Sequence, residues 1–280
     1  KPLITGTVAK TTSEINKARG FSLFYWIVNL GAFGGKTVVP SIRQGIGLEY
    51  VNFFSAGMSL LALLFAIFIF KIDENRNEKG KSLTDVLVAL KKIFSTPRLI
   101  ILTLIVAGFW IIQHQLYATM PKYVIRLLGE SAKPEWMANV NPLIVVLFVV
   151  VITQFTKKYK AVTIMFVGMI IMPLSALVMA MSQNLESITG SSIDIFGMFT
   201  MHPLTLMMIV GIGIQGLAEC FISPRFLEYF ANQAPKGEEG VYMGFSHLHS
   251  FFSALVGFIM SGFLLDAYCP NPDTLPLGIT

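Results

Sequence analysis

Seven apolar runs, each close to the roughly 20 residues that a helix needs to cross a bilayer, govern what this chain can fold into. They are Phe21–Ser41, Val51–Phe70, Leu99–Met120, Met137–Phe155, Val162–Met181, Leu204–Phe226 and Met243–Leu265. Inside a bilayer every backbone polar group must be satisfied internally, which leaves helices and closed barrels. Barrel strands alternate over about ten residues. These runs are continuously apolar, so an all-α membrane protein is expected. The composition agrees: 54% of the 280 residues are hydrophobic and 13% are charged, against about 25% charged in soluble domains. The first run is the least clean, because Lys36 interrupts it.

The net charge of +5 has a topological cause. With the Lys1 end placed on one side and the spans alternating, sixteen Lys and Arg fall on that side and five on the other. The excess on the first side includes Lys91, Lys92, Lys157, Lys158, Arg225 and Lys236, whereas the second holds Lys36, Arg43, Lys122, Arg126 and Lys133. The positive-inside rule then puts the N-terminal end in the cytoplasm. Charge sets orientation here, and no nucleic-acid partner is implied. A seven-helix receptor would need the opposite orientation. The chain opens KPLITGTVAK and ends CPNPDTLPLGIT, and reads as a fragment.

The stretch 71–98 divides the spans. Its first part is charged and contains glycine; its second places Leu83, Val86, Leu87, Leu90, Ile93 and Phe94 at helical spacing. An amphipathic helix on the cytoplasmic face, ended by Pro97, is expected. The segment Asn184 to Pro203 reads as a longer outside loop.

Two glycine motifs are structural. Gly211 to Gly216, GIGIQG, matches G-x-G-x-x-G but lies in an apolar helix rather than after a strand, where small residues let helices approach closely. GAFGGKT at Gly31 to Thr37 lacks the first glycine of a phosphate loop. The histidines His114, His202, His247 and His249 form no metal-ligand pattern, and His247 and His249, two apart, point to different sides of a helix. Neither a cofactor nor a metal is expected, and no nucleophile set suggests an intramembrane enzyme.

The chemistry sits in polar residues within the spans. Glu219 is the sole charge between Leu204 and Phe221. A carboxylate at such depth costs about 2.5–3.5 kcal/mol on insertion scales and marks a functional site by default. Gln215 lies one turn earlier on the same face. Gln113, His114, Gln115 and Tyr117 cluster late in another span, where His114 is the titrating group near neutral pH. Asn29 and Asn141 either cap freed backbone groups or line a cavity; Lys36 either snorkels outward or faces that cavity. Ser246, His247 and His249 add polarity near the cytoplasmic start of the last span. Together these groups suggest a wet, lined cavity.

Several segments resemble the proton-dependent oligopeptide transporters, a branch of the major facilitator superfamily. FSLFYWIVNLGAF at Phe21 to Phe33 is similar to that family's fifth-helix motif. FWIIQHQ resembles the seventh helix, WMANVNPLIVVLF the eighth and LAECFISP the tenth. EYFANQAP followed by GVYMGFSHL is similar to the turn into the eleventh. The resemblance implies a partial major facilitator helical bundle, with about seven of twelve transmembrane helices. Residues 1–70 would end the N-terminal bundle (helices 5–6), 71–98 would be the cytoplasmic linker, and 99–280 would form helices 7–11 of the C-terminal bundle.

The resemblance also implies roles. Lys1 matches the family's cavity lysine, Asn29 and Asn141 its peptide-contacting asparagines, and Glu219 the acid that receives the peptide amino terminus. Tyr25, Gln215 and Ser246 join them as candidate substrate contacts; Glu219, His114 and Lys36 are the candidates for proton coupling or gating. His114 stands where the family has an acid, and Lys36 where it is usually uncharged, so a divergent branch is implied. The expectation is proton-coupled uptake of di- or tripeptides or a related zwitterion by a monomer in a bacterial inner (cell) membrane. The alternative is a major facilitator transporter of another small solute.

Overall fold

A computed structural model describes residues 2–69, 82–129 and 132–271. Lys1 and most of the charged part of 71–98 lie outside the described residues. Among the described residues the regular structure is helical apart from one short hairpin, as the apolar runs require. In order, the helices are α1 (Pro2–Thr11), α2 (Lys17–Gly45), α3 (Leu48–Phe68), α4 (Leu83–Phe94), α5 (Pro97–Ala118), α6 (Met120–Leu128), α7 (Pro134–Thr156), α8 (Ala161–Ala180) and α9 (Ser182–Thr189). The strands β1 (Ile193–Ile195) and β2 (Phe199–Met201) follow, then α10 (Pro203–Gln233), α11 (Glu239–Ser246) and α12 (Leu248–Tyr268).

Six helical segments among the described residues are long and apolar enough to cross a membrane: Leu48–Phe68, Pro97–Leu128, Pro134–Thr156, Ala161–Thr189, Pro203–Gln233 and Glu239–Tyr268. The first of the seven expected spans, Phe21–Ser41, is helical throughout but is not one of the six. It lies inside α2, a 29-residue helix whose lysines, arginines and Asn29 dilute its hydropathy. The last expected span is broken: α11 stops at Ser246, and α12 starts at Leu248. The outside loop is also more ordered than expected, since it carries α9 and an antiparallel hairpin pairing Ile193 with Met201.

The core forms around α10, which packs on α8 and α7 and also touches α2. Glycines set these approaches. A Cβ on Gly216 would lie 3.0 Å from the Asn141 carbonyl oxygen and 2.9 Å from Ile144 Cβ; one on Gly211 would lie 2.9 Å from the Ser175 carbonyl oxygen. GIGIQG is therefore a packing motif, with Gly211 turned to α8 and Gly216 to α7. The second pair of tight contacts, α5 with α12, completes this bundle, and α2 lies along α7.

The amphipathic helix is present. Ser82 and Asp85 form a capping box on α4, and Ala89 and Ile93 are buried while Leu83, Leu87 and Phe94 stay exposed. The Phe94 ring meets Phe245 of α11 edge-on, with centroids 5.3 Å apart. Pro97 opens α5 in its first turn, where proline's missing N–H is harmless.

Candidate functional site

Glu219 is held at the middle of α10, with 5% of its surface exposed. Two amides from different helices reach the same carboxylate oxygen. Gln113 Nε2 of α5 donates to Glu219 Oε2 at 3.0 Å, and Asn141 Nδ2 of α7 donates to it at 3.1 Å. Hydrogen bonds to an ionised acceptor are about twice as strong as neutral ones, so this pair favours the carboxylate in a place that otherwise disfavours it. Asn141 is aimed by its neighbourhood: its own carbonyl sits against Gly216, and Pro142 follows it inside α7. Gln113 keeps its buried Oε1 without a hydrogen-bond partner, an acceptor left over beside the carboxylate.

These groups open on a cavity of about 370 Å³. From α2 come Phe24, Tyr25, Val28 and Asn29; from α5, Trp110, Gln113, His114 and Tyr117. From α7 comes Asn141; from α10, Glu219, Ser223 and Phe226. His247, His249 and Ser250 close it at the break between α11 and α12. Tyr25 stands beside both Glu219 and Ser223. Asn29 lines the cavity and also donates to the Tyr25 carbonyl at 2.9 Å, a bond to the preceding turn of an unbroken helix rather than a cap on a freed group. Lys36 does not line the cavity but reaches Tyr117, which does. Its Nζ donates to the Tyr117 hydroxyl at 3.1 Å and lies 4.5 Å from the centre of that ring.

Two candidates belong elsewhere. Gln215 is buried but lines a separate, mostly apolar cavity of about 560 Å³ with Gln115, Thr119 and Met179. One helical turn, about 40° past a full rotation, carries it across the α5 contact and off the Glu219 side. Ser246 is fully buried, and its hydroxyl donates to the Met243 carbonyl at 2.8 Å, a bond within its own helix. His247 and His249 correct the sequence expectation in the other direction. The helix break at His247 removes the regular rotation between them, so both rings face one cavity, with centroids 6.5 Å apart.

Arg225 escaped notice as a structural residue, because it reads as one more charge near a span end. It is 1% exposed. Its Nη2 donates to the Thr156 and Tyr159 carbonyls at 2.9 and 2.6 Å, tying the end of α7 to α10, and its Nη1 pairs with Glu228 at 2.6 Å. The Arg-x-x-Glu spacing, one residue after Pro224, was the available signal. At the opposite end of α7, Glu135 pairs with Arg43 of α2 at 2.6 Å.

Residues 89–274 match the POT family, two thirds of the chain. The chain belongs to the POT family. This is the family that the residues resembled, and it is one of transporters. The chain is also similar to proteins named "Multidrug resistance protein MdtH". The one from Blochmanniella pennsylvanica is 24% identical over 188 residues, covering 67% of this chain and 41% of that protein. The one from Proteus mirabilis is 21% identical over 270 residues, covering 95% and 60%. The one from Salmonella newport is 24% identical over 184 residues, covering 65% and 41%. The chain thus spans between 41% and 60% of the length of these curated relatives. As a POT family member with six long apolar helices it is a multi-pass integral membrane protein.

Proposed function

We propose that the full protein is a proton-coupled secondary transporter, carrying di- or tripeptides or a related small zwitterion by alternating access. The observation that carries this reading is the buried Glu219 carboxylate, held by two amides on the wall of a cavity between α2, α5, α7 and α10. Transporter sites commonly lie near the midplane between two bundles, and the cavity sits where α2 faces helices of residues 99–280. The segment 71–98 is then the cytoplasmic linker, and the membrane is a bacterial inner membrane.

The Glu219 carboxylate is the anion for a ligand ammonium, and Lys36 is the cation for the ligand's carboxylate. A proton that reaches Glu219 after the solute has bound neutralises the carboxylate and releases the ammonium, which links the solute to the proton gradient. His114, at the level of Gln113, is the second titrating group on the same wall. Lys1 remains a proposed contact from the family resemblance.

The test is uptake of radiolabelled dialanine by the full-length protein in proteoliposomes under an imposed pH gradient. Glu219→Gln is expected to lower gradient-driven uptake at least thirtyfold. Unchanged uptake by that variant would sink the role of Glu219.

A second reading has a specific support. The relatives are named for multidrug resistance, and the cavity wall carries Phe24, Trp110 and Phe226 beside the carboxylate. Aromatic faces and an acid together suit a lipophilic organic cation. Competition separates the two: uptake of radiolabelled tetraphenylphosphonium that unlabelled dialanine does not reduce favours the second.

A further inference from the structure

The break between α11 and α12 places two histidines on the Glu219 cavity, and their depth can be read from α10. Phe226 follows Glu219 by seven residues, which is about 10 Å along a helix. Its ring meets His249 edge-on, with centroids 5.0 Å apart. His249 therefore lies about two turns nearer than Glu219 to the end that the charge count puts in the cytoplasm. Helix α5 gives the same order. His114 is next to Gln113, at the level of Glu219, and Trp110 is one turn nearer that end. The Trp110 ring lies 6.2 Å from His114 and 5.7 Å from His249, between the two.

Backbone bonds fix how the two break histidines face. His247 Nδ1 meets the Met243 carbonyl at 2.8 Å, and His249 Nδ1 meets the Ser246 carbonyl. A carbonyl only accepts, so each Nδ1 carries hydrogen and Nε2 is left as the basic nitrogen. His249 Nε2 sits 3.1 Å from the Ser250 hydroxyl, which donates to the neutral ring and can turn to accept from a charged one. The carbonyls of the broken turn thus make this a site that stabilises both forms.

We propose that His247 and His249 form a second protonation site, which takes the proton from Glu219 and delivers it to the cytoplasmic side. The inference rests on the proton-coupled reading above. The carboxylic acid of Glu219 loses its proton to cavity water, the neutral His249 Nε2 gains one, and an imidazolium and a carboxylate result. The imidazolium then loses that proton to water beyond His247. The cavity, about 370 Å³, has room for on the order of ten waters to span the gap. Once ionised, Glu219 is ready for the next ammonium or proton.

Titratable groups stand on each element around the pair, including Tyr242 of α11 and Lys36 of α2, which reaches Tyr117. Glu219 of α10, Tyr25 of α2, and His114 and Tyr117 of α5 line the same cavity. Arg225 and Glu228, further along α10, pair with each other. Lys10 of α1 and Asp85, Lys91 and Lys92 of α4 are exposed side chains on the flanking helices, and Glu238 and Glu239 begin α11. Within the cavity itself the anion is Glu219, so the proton has one carboxylate to leave.

The experiment uses the full-length protein with His247→Asn and His249→Gln combined, in proteoliposomes with radiolabelled dialanine. Gradient-driven uptake is expected to fall at least ten times more than counterflow measured without a gradient. Parallel loss of both, or loss of neither, overturns the proposal while leaving a gradient-driven wild type intact. Wild-type uptake that ignores the gradient overturns the proton-coupled reading and this one together.

A second measurement needs no substrate. In a Trp26→Phe, Trp136→Phe background, Trp110 emission is expected to change with pH as the histidine ring beside it gains a proton. His249→Gln should remove most of that titration. A titration unchanged by His249→Gln overturns the proposal even if the transport variant fails to fold.

Discussion

Helices α3 and α10 look alike as strings of apolar residues and behave in opposite ways. Their most apolar windows have mean hydropathies of 2.0 and 1.8. Among the described residues none of α3 is buried, and its main packing partner is α2. Half of the α10 window is buried, and α10 touches α2, α7, α8, α9 and α11. Hydropathy therefore says that a segment enters the bilayer, not what it meets there. What separates the two is whether their small and polar residues meet a neighbouring helix. α10 sets Gly211 and Gly216 against α8 and α7 and buries Gln215, Glu219, Ser223 and Arg225, whereas α3 carries Ser55, Gly57 and Ser59 with none of them buried against a described helix. Lipid tails are as apolar as leucine, so close approach and polar bonding must hold membrane helices together.

The strongest way to break this contrast is to remove the guanidinium at the end of α10. Arg225→Met strands Glu228 and frees the Thr156 and Tyr159 carbonyls. Leaving one partner of a buried ion pair costs about 3–5 kcal/mol. Thermal unfolding in detergent should show a marked fall in the midpoint, and Arg225→Met with Glu228→Gln should recover part of it. A midpoint equal to wild type would mean that α10 does not depend on its buried charge.

Packing comes next in size. Gly216→Leu drives a side chain into the Asn141 carbonyl and Ile144, and overpacking costs about 1–3 kcal/mol. Because Asn141 also holds Glu219, uptake should fall with stability. Gly57 of α3 meets nothing within 4 Å where a Cβ would stand, so Gly57→Leu should leave the packing of the described helices undisturbed. Equal damage at the two positions would erase the distinction between the helices.

The contrast also marks how far the sequence could be read. Six of the spans, the amphipathic α4, the packing role of GIGIQG and the gathering of Glu219 and the Gln113 cluster on one cavity were legible, since each follows from composition, period or a costly charge; that Asn141 shares the carboxylate was not. Gln215 was not, because a helical turn fixes a face only to within the width of one contact, and the α5 crossing falls inside that width. Ser246 was not, because serine in a helix can satisfy itself on the preceding turn. The shared facing of His247 and His249 was hidden for a different reason. No proline or glycine stands at the break, so nothing local announced that the rotation between them would be lost.

The smallest effect expected falls on Asn141, and it sharpens why α10 is buried at all. Asn141→Ala removes one of the two amides on Glu219 Oε2 and leaves the Gln113 bond at 3.0 Å. Interhelical hydrogen bonds in bilayers average about 0.6 kcal/mol, so the unfolding midpoint should barely move. The carboxylate, however, loses a donor that favours its charged form, and its affinity for protons should rise. That favours the protonated state at a higher external pH and shifts the alkaline limb of the uptake profile upward, with the maximal rate within about threefold of wild type. If Asn141 instead serves only to pack α7 on α10, the pH profile will keep its position while stability falls. The outcome decides whether α10 is buried to build a bundle or to hold one acid where both a proton and a solute can reach it.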